Sequence, residues 1–336
     1  MRVYEVRESF GIDHLVLAER ERPSPGCRQA LVRVKAVSLN YRDLLVVKGL
    51  YNPKLSLPFI PFSDGAGEVV SVGEGVSRVA VGDRVAGIFM QDWLAGELTE
   101  AKAKSALGGG KQGMLTEYVV LNEDGLVRVP QHLSYEEAST LPCAAVTAWH
   151  ALMETGLGPG ERVLLLGTGG VSIFSLQFAL MAGAEVIITS RSDEKLAKAA
   201  QLGAAHCINY KAVPEWDRRV RELTGETGVD LVVEVGGAGT LPHSLKAVRT
   251  GGRISLIGVL TGAAGEINPL PIVMKKIRVQ GILVGSREMF ESMNRAITLH
   301  RLVPVIDRVF PFGEAGDALR YMESGAHFGK ICISVA

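Results

Sequence analysis

The stretch Val163-Leu164-Leu165-Leu166-Gly167-Thr168-Gly169-Gly170-Val171-Ser172 decides the fold. A short, wholly apolar run ends in closely spaced glycines. A helical pattern follows (SIFSLQFALMAG, 172–183), and a second apolar β-rich run, VIITS, begins at Val186. This is the strand–turn–helix–strand context in which a Gly-x-Gly turn binds a dinucleotide. Gly167 permits the tight turn, and Gly169 lets the backbone approach a pyrophosphate. The helix start then offers free N–H groups and the positive end of its dipole. Ser172 stands where the third glycine usually does, small enough for close helix–strand packing.

Working outward, apolar runs recur at LVVEV (231–235), RISLIG (253–258) and IRVQGILV (277–284), with helical runs such as DEKLAKAAQLGA between strands. Strands this uniformly apolar are buried on both faces, as in a parallel sheet covered by helices. The reading is α/β, a doubly wound Rossmann sheet. The first third differs. Val32-Arg33-Val34-Lys35-Ala36 alternates with period two, and EVVSV (68–72), RVAGI (84–88) and TEYVVL (116–121) follow between turn residues. A barrel-like β domain is expected there. Ser134 and Glu137 form a capping-box pair opening a long helical stretch to Leu152. The tail, with VIDRVF (305–310) and ICISV (331–335), either rejoins the β domain or extends the sheet; periodicity does not decide.

The chain has 336 residues, 36 basic and 36 acidic, and a net charge of +0. A nucleic-acid or anionic-membrane partner would need a basic face, and none is encoded. No run reaches the length of a membrane span, and MRVYEVRESFG lacks a signal peptide's apolar core. A cytoplasmic protein acting on a small molecule is expected. Cys27, Cys143, Cys207 and Cys332 lie far apart with no CxxC pair, and the seven histidines show no HxxxH spacing. Neither a disulfide framework nor a Cys-rich zinc lobe is encoded.

The end of the second Rossmann strand selects the cofactor. An NAD site usually carries an acid about 20 residues after the first glycine. Here the strand ends Thr189-Ser190-Arg191 without one, and Asp193 and Glu194 follow a Ser192 cap as ordinary first-turn acids. Ser190 and Arg191, helped by Lys195, suit a 2′-phosphate. NADP(H) is expected.

These residues together resemble the medium-chain dehydrogenase/reductase superfamily. GTGGVS, TSRSDEKL and LGAAHCINY are similar to its cofactor domain. SLNYRDLLVVKGLY (38–51), PFIPFSDGAGEVVSVGEGV (58–76), LPCAAVTAWHAL (141–152), VGSR (284–287) and HFGK (327–330) extend the likeness over essentially the whole chain. It implies a GroES-like catalytic domain, 1–130 completed by 287–336, and a Rossmann domain, 131–286, with the active site in the cleft between them. It further implies cofactor contacts at Thr147 and its neighbour Val146, at Gly167, Thr168, Gly169, Gly170, Val171 and Tyr210, and at Gly236, Gly258, Val284, Gly285, Ser286 and Lys330. It also implies a homodimer formed through the strand near IRVQGILV.

Zinc alcohol dehydrogenases of this superfamily carry a Cys where this chain has Asn40 and a His where it has Ser63. Cys143 alone matches a catalytic ligand position, and residues 90 to 115 hold none of the four cysteines of the structural zinc site. The chain therefore looks like the zinc-free, quinone-oxidoreductase-like branch. Without a metal, hydrogen-bond donors must stabilise charge on the acceptor oxygen, which suits a quinone or enone that spreads the charge. The donor candidates are Asn40, Tyr41, Arg42, Tyr51 and Ser63. Two other readings stay open, a zinc-type alcohol dehydrogenase and an NADPH-binding protein with little turnover.

Overall fold

The computed structural model describes residues 1–335. Its contacts divide the chain into two units, Met1–Val146 with Gly285–Ala336, and Thr147–Val284. The first division falls later than the 130/131 boundary read from the sequence. Residues just before Val146 bond to the first unit instead, with Cys143 N–H donating to Asp64 and Ser139 Oγ to Cys332 Sγ.

The first unit begins with a hairpin, β1 (Arg2–Val6) and β2 (Leu15–Glu19). Its larger sheet uses β3 (Gln29–Ser38), β4 (Asp64–Val72), β5 (Arg84–Gly87), β6 (Tyr118–Asn122) and β7 (Leu126–Arg128). The tail rejoins this sheet, so the ambiguity left by periodicity is settled. The strands β14 (Ile306–Pro311) and β15 (Lys330–Ser334) give the order β14-β15-β3-β4-β5-β7, with β6 also paired to β3. Val32 and Val34 of β3 share one face by alternation, and the bulge between Val34 and Ala36 brings Val37 into the same core as Phe62, Val69, Ile331 and Ile333. Each such side chain contributes roughly 1.5–3 kcal/mol on burial.

The second unit is a six-stranded, wholly parallel sheet. Its strands are β8 (Arg162–Leu166), β9 (Glu185–Ser190), β10 (His206–Asn209), β11 (Val229–Glu234), β12 (Val248–Leu256) and β13 (Arg278–Gly281). The spatial order β10-β9-β8-β11-β12-β13 reverses direction between β8 and β11. That is the doubly wound order, with its ligand crevice at the carboxyl ends of the two strands flanking the reversal. Leu164, Ile187, Val232 and Ile254 of the sheet pack with Trp216, Val220, Leu241 and Leu245 of the covering helices. One expectation fails here. The strand in IRVQGILV is short, and every residue of β13 is exposed, because it is the sheet's edge and lacks a neighbour on one side.

The loop before β6 is glycine-rich (Gly108-Gly109-Gly110-Lys111-Gln112-Gly113) and is held by backbone bonds instead of cysteines. Gly113 N–H donates to Ile60 O at 2.7 Å and Met114 N–H to Phe62 O at 2.8 Å. A Cβ on Gly113 would sit 2.1 Å from Pro61 O, so no side chain fits. Gly113→Ala should lower unfolding free energy by at least about 2 kcal/mol, read from urea denaturation. An unchanged midpoint would show that the loop moves aside freely.

Candidate active site

Three adjacent strands deliver a cluster of buried polar groups in the first unit. Asp64 opens β4 opposite Ser38 of β3, and Ser38 in turn faces Cys332 of β15. Asn40 follows β3 as the N-cap of the helix Tyr41–Val47, and its N–H donates to Asp43, an acid the sequence marked for fixing the backbone or pairing with Arg42. Lys330 opens β15. Its ammonium donates to Leu39 O and, at 2.6 Å, to Asn40 Oδ1. Asn40 Nδ2 donates to Ser63 Oγ at 3.3 Å, and Ser63 Oγ donates to Asp64 Oδ1 at 2.7 Å. The π turn Leu141–Ala145 then aims Cys143 N–H at Asp64 Oδ2, 3.0 Å away. A π turn frees a backbone donor that an α-helix would use internally.

Asp43 anchors the backbone on which these groups hang. Its two oxygens accept from Asn40 N–H at 2.8 Å and Ser63 N–H at 3.2 Å. Phe62, buried and held at φ 70°, makes the turn that brings Ser63 N–H into line. Arg42 lies 3.7 Å from Asp43, donates to Leu107 O at 2.9 Å and is stacked between Tyr51 and Phe89. Arg42 and Tyr51 are thus brought together, with half of Tyr51 exposed. Tyr41 starts the helix and is 45% exposed.

Electrostatics follow burial. Removal from water, aided by the charge of Asp64, pushes the Asp43 carboxyl up to about 6, with Arg42 pulling the other way. Burial also raises Asp64, opposed first by Lys330 and then by the hydroxyl of Ser63. Cys143 lies under the same burial and beside Asp64, so its thiol is pushed far up and stays protonated.

The donor set does not fit a zinc ion. Catalytic zinc takes three ligands of the Cys, His and carboxylate kind, with thiols ionised. Here an amide and a hydroxyl stand at two of the positions. A resident ammonium points at the amide oxygen. Among the described residues no group of three or more His, Cys, Asp or Glu side chains is placed to hold a metal.

The second unit fits a dinucleotide. Gly167 takes φ +74°, and a Cβ at Gly167 or Gly169 would meet nothing within 4 Å, leaving an open cradle over the turn. The helix Gly170–Met181 starts with no side-chain cap and no acid in its first turn, so the first N–H groups, at Gly170 and Val171 beside the buried Thr168, are available to an anion. Ser172 Oγ donates to Leu166 O at 2.7 Å, which locks helix to strand where a glycine would merely allow it. Ser190 ends β9, and Tyr210 N–H bonds its carbonyl, so Ser190 and Tyr210 sit at neighbouring strand ends. Arg191 is exposed and Lys195 half-buried in the first turn of the Ser192-capped helix. Thr147 is buried at the start of this unit, and Val284 takes φ 55°, rare for a β-branched residue. Gly285, Ser286 and Lys330 belong to the first unit, where Ser286 caps the helix Arg287–His300.

Sequence reasoning missed the anchor of this unit. Glu234, wholly buried at the end of β11, accepts from Gly236 N–H at 2.7 Å, Gly237 N–H at 3.1 Å and Thr240 Oγ1 at 2.6 Å, and also from Ser244 Oγ. Thr261 ties the next turn to this one, its N–H bonding Gly236 O at 2.7 Å. Gly258 packs close enough that a Cβ would meet Val235 O at 2.5 Å. The available signal was an acid inside the apolar run LVVEV.

A doubly wound parallel sheet in one chain with a GroES-like β unit defines a medium-chain oxidoreductase. The alcohol dehydrogenase GroES-like domain model matches residues 26–131, and the zinc-binding dehydrogenase model matches 170–298. A zinc-type alcohol dehydrogenase-like protein of Schizosaccharomyces pombe is 45% identical over 338 residues, covering 98% of this chain and 97% of its own. The zinc-type alcohol dehydrogenase-like protein YogA of Leptosphaeria maculans is 32% identical, covering 94% and 92%. The solved structure of an NAD-dependent alcohol dehydrogenase superimposes with a TM-score of 0.92 at 34% identity, over 100% of both chains. The chain belongs to the zinc-type alcohol dehydrogenase-like family of the medium-chain dehydrogenase/reductase superfamily. Related enzymes act on small molecules, and among the described residues no helix is long and apolar enough to cross a membrane.

The raised Asp43 carboxyl has a measurable consequence. In the unfolded chain it ionises near 3.8, in the folded protein near 6. Between these values the unfolded state sheds its proton first, so a stabilising contribution present below pH 3.8 is lost as pH rises through 6. Relative to Asp43→Asn, wild-type unfolding free energy should therefore fall by on the order of 3 kcal/mol between pH 4 and 7. A difference that stays flat across this range would mean that Asp43 is ionised throughout.

Proposed function

We propose that this protein is an NADPH-dependent oxidoreductase that transfers a hydride, without a catalytic metal, to a quinone, an enone or another activated carbonyl compound. The observation that carries the reading is the cluster itself. Asn40, Ser63, Asp64 and Lys330 form a satisfied hydrogen-bond chain with its own internal cation, a set suited to polarising an oxygen and unsuited to ligating zinc. Such donors act strongly in a dry site. They serve acceptors whose charge is already delocalised better than simple ketones or alcohols.

NADPH, when bound, supplies the hydride. The chain's part is to hold it and to receive charge. The uncapped N–H groups at Gly170 and Val171 face the pyrophosphate. Ser190 and Arg191, with Lys195, bind the 2′-phosphate that distinguishes NADPH from NADH, an assignment supported by the lack of an acid at the end of β9. The exposed hydroxyl of Tyr41 donates the proton that completes the reduction, in competition with solvent.

The test is a fluorescence titration of NADPH and NADH into chelator-treated protein. NADPH should bind at least tenfold more tightly. Arg191→Ala should weaken NADPH by about 10- to 100-fold, the scale of a charged hydrogen bond, and leave NADH unchanged. Stoichiometric zinc in untreated protein, with cofactor binding lost on its removal, would return the zinc-type alcohol dehydrogenase reading suggested by the relatives' names. Tight NADPH binding without turnover of any quinone or enone would leave a binding protein.

We also infer a homodimer, which the cytoplasmic setting assigned from the sequence permits. The edge strand β13 is unpaired on one side, and Val279, Leu283, Leu270, Val273 and Met274 are all exposed. An apolar strand edge invites pairing with a second copy. Light scattering should give twice the chain's 35.9 kDa, and Val279→Asp should shift it toward the monomer. A wild-type monomer at micromolar concentration would end this inference.

A further inference from the structure

One group in the cluster is not required by hydride transfer itself. The Lys330 ammonium is 3% exposed, and lysine is almost never sealed from water without compensation. Its compensation is local, from Leu39 O, from Asn40 Oδ1 at 2.6 Å, and from the field of Asp64, whose carboxylate feels Lys330 as the largest charge opposing its burial.

An ammonium has only hydrogens to offer. Asn40 must therefore turn Oδ1 toward it, and the two-fold choice open to every side-chain amide is removed. With Oδ1 committed, Nδ2 points to Ser63 Oγ at 3.3 Å, and Ser63 passes its own hydrogen to Asp64 at 2.7 Å. The chain runs one way, from Lys330 through Asn40 and Ser63 to Asp64, each group donating to the next. Without the lysine, Oδ1 loses its ammonium partner and the polarity of the chain rests on the Nδ2 contacts to Ser63 and Asp64 alone. Asn40 keeps 8% of its surface exposed, whereas Ser63 and Asp64 keep none, so Asn40 is the member of the three through which an outside molecule senses that polarity.

We propose that Lys330 is a positioning residue, a cation built into the chain that fixes the orientation of the Asn40 amide and the direction of the Asn40–Ser63–Asp64 relay for an oxygen-bearing substrate. The inference rests on the metal-free reductase reading above. It assigns to a side chain, at one positive charge, the polarising work that a metal ion performs at two. It also departs from the cofactor contact that the resemblance implied for this lysine.

The experiment compares wild type with Lys330→Gln, which removes the charge and keeps a donor. NADPH affinity, and kcat and KM for 1,4-naphthoquinone, are measured on both. NADPH affinity and KM should stay within threefold, while kcat falls by about 10²-fold, the scale of losing one preorganised donor. In Asn-selective 15N spectra, the Asn40 side-chain NH2 pair should shift and exchange faster in the variant. Lys330→Ala purified in ethylammonium covers a glutamine variant that fails to fold. Dialysing the amine away should lower kcat at least tenfold, and ethylammonium but not equal sodium chloride should restore it. A kcat within threefold of wild type overturns the proposal. So does a tenfold loss of NADPH affinity with kcat at saturation intact, which would make Lys330 a cofactor contact. Should wild type reduce neither naphthoquinone nor but-3-en-2-one, the reductase reading fails, and the Asn40 signals then decide positioning alone. Signals unchanged in Lys330→Gln would overturn it.

Discussion

Charge sealed inside an apolar sandwich is the constraint on which the first unit depends. Asp43 and Asp64 have no exposed surface, and Lys330 almost none, yet all three are tied to named partners. An unpaired buried charge is severely destabilising, so the surrounding backbone is arranged to satisfy them. The helix start at Asn40, the left-handed turn at Phe62 and the π turn at Cys143 each deliver one N–H to a carboxylate. The GGGKQG loop closes over Phe62 with glycines because the backbone there leaves no room for Cβ atoms. The irregularities of this unit are the means of keeping two acids and an ammonium dry.

The second unit solves a related problem with one acid. Among the described residues Glu234 has no cation partner and is satisfied by two backbone N–H groups and two hydroxyls. It fixes the turn after β11, and through Thr261 the turn after β12, at the carboxyl edge where the strand order reverses. The open cradle at Gly167 to Val171 lies on the neighbouring strand β8. Rigid turns beside an open one suit a site in which the ligand, and not the protein, supplies the missing negative charge.

Much of the fold was legible because burial dictates composition. VLLLG, VIITS, LVVEV and RISLIG could be read as parallel strands, since only such strands are apolar on both faces, and the Ser134–Glu137 capping box appears as read. IRVQGILV misled for the same reason. Its apolar residues serve an edge, where a strand is covered on one side only. The place of the C-terminal strands was illegible because β15 pairs with β3 across almost the whole chain, and no local pattern encodes so distant a partner. Asn40 and Ser63 were singled out by what they replace, and the structure brings them within hydrogen-bond distance of each other. For Lys330 the resemblance implied a cofactor contact, and a lysine in sequence carries no mark of whether its charge faces outward or inward, so its bond to Asn40 was not legible. Glu234 went unread because one acid in an apolar run resembles a strand end.

The Glu234 turn also sets a polarity for the nucleotide sheet. VGGAGT and GTGGVS are both glycine-rich turns at the ends of adjacent parallel strands, and by composition either would cradle a phosphate. In VGGAGT the N–H groups of Gly236 and Gly237 are already spent on a carboxylate of the same chain. The two turns are therefore a lock with one keyhole filled at the factory. Among the described residues, the amides that open the Gly170–Met181 helix carry no side-chain cap while those of Gly236 and Gly237 are committed, so the two turns meet an approaching anion differently.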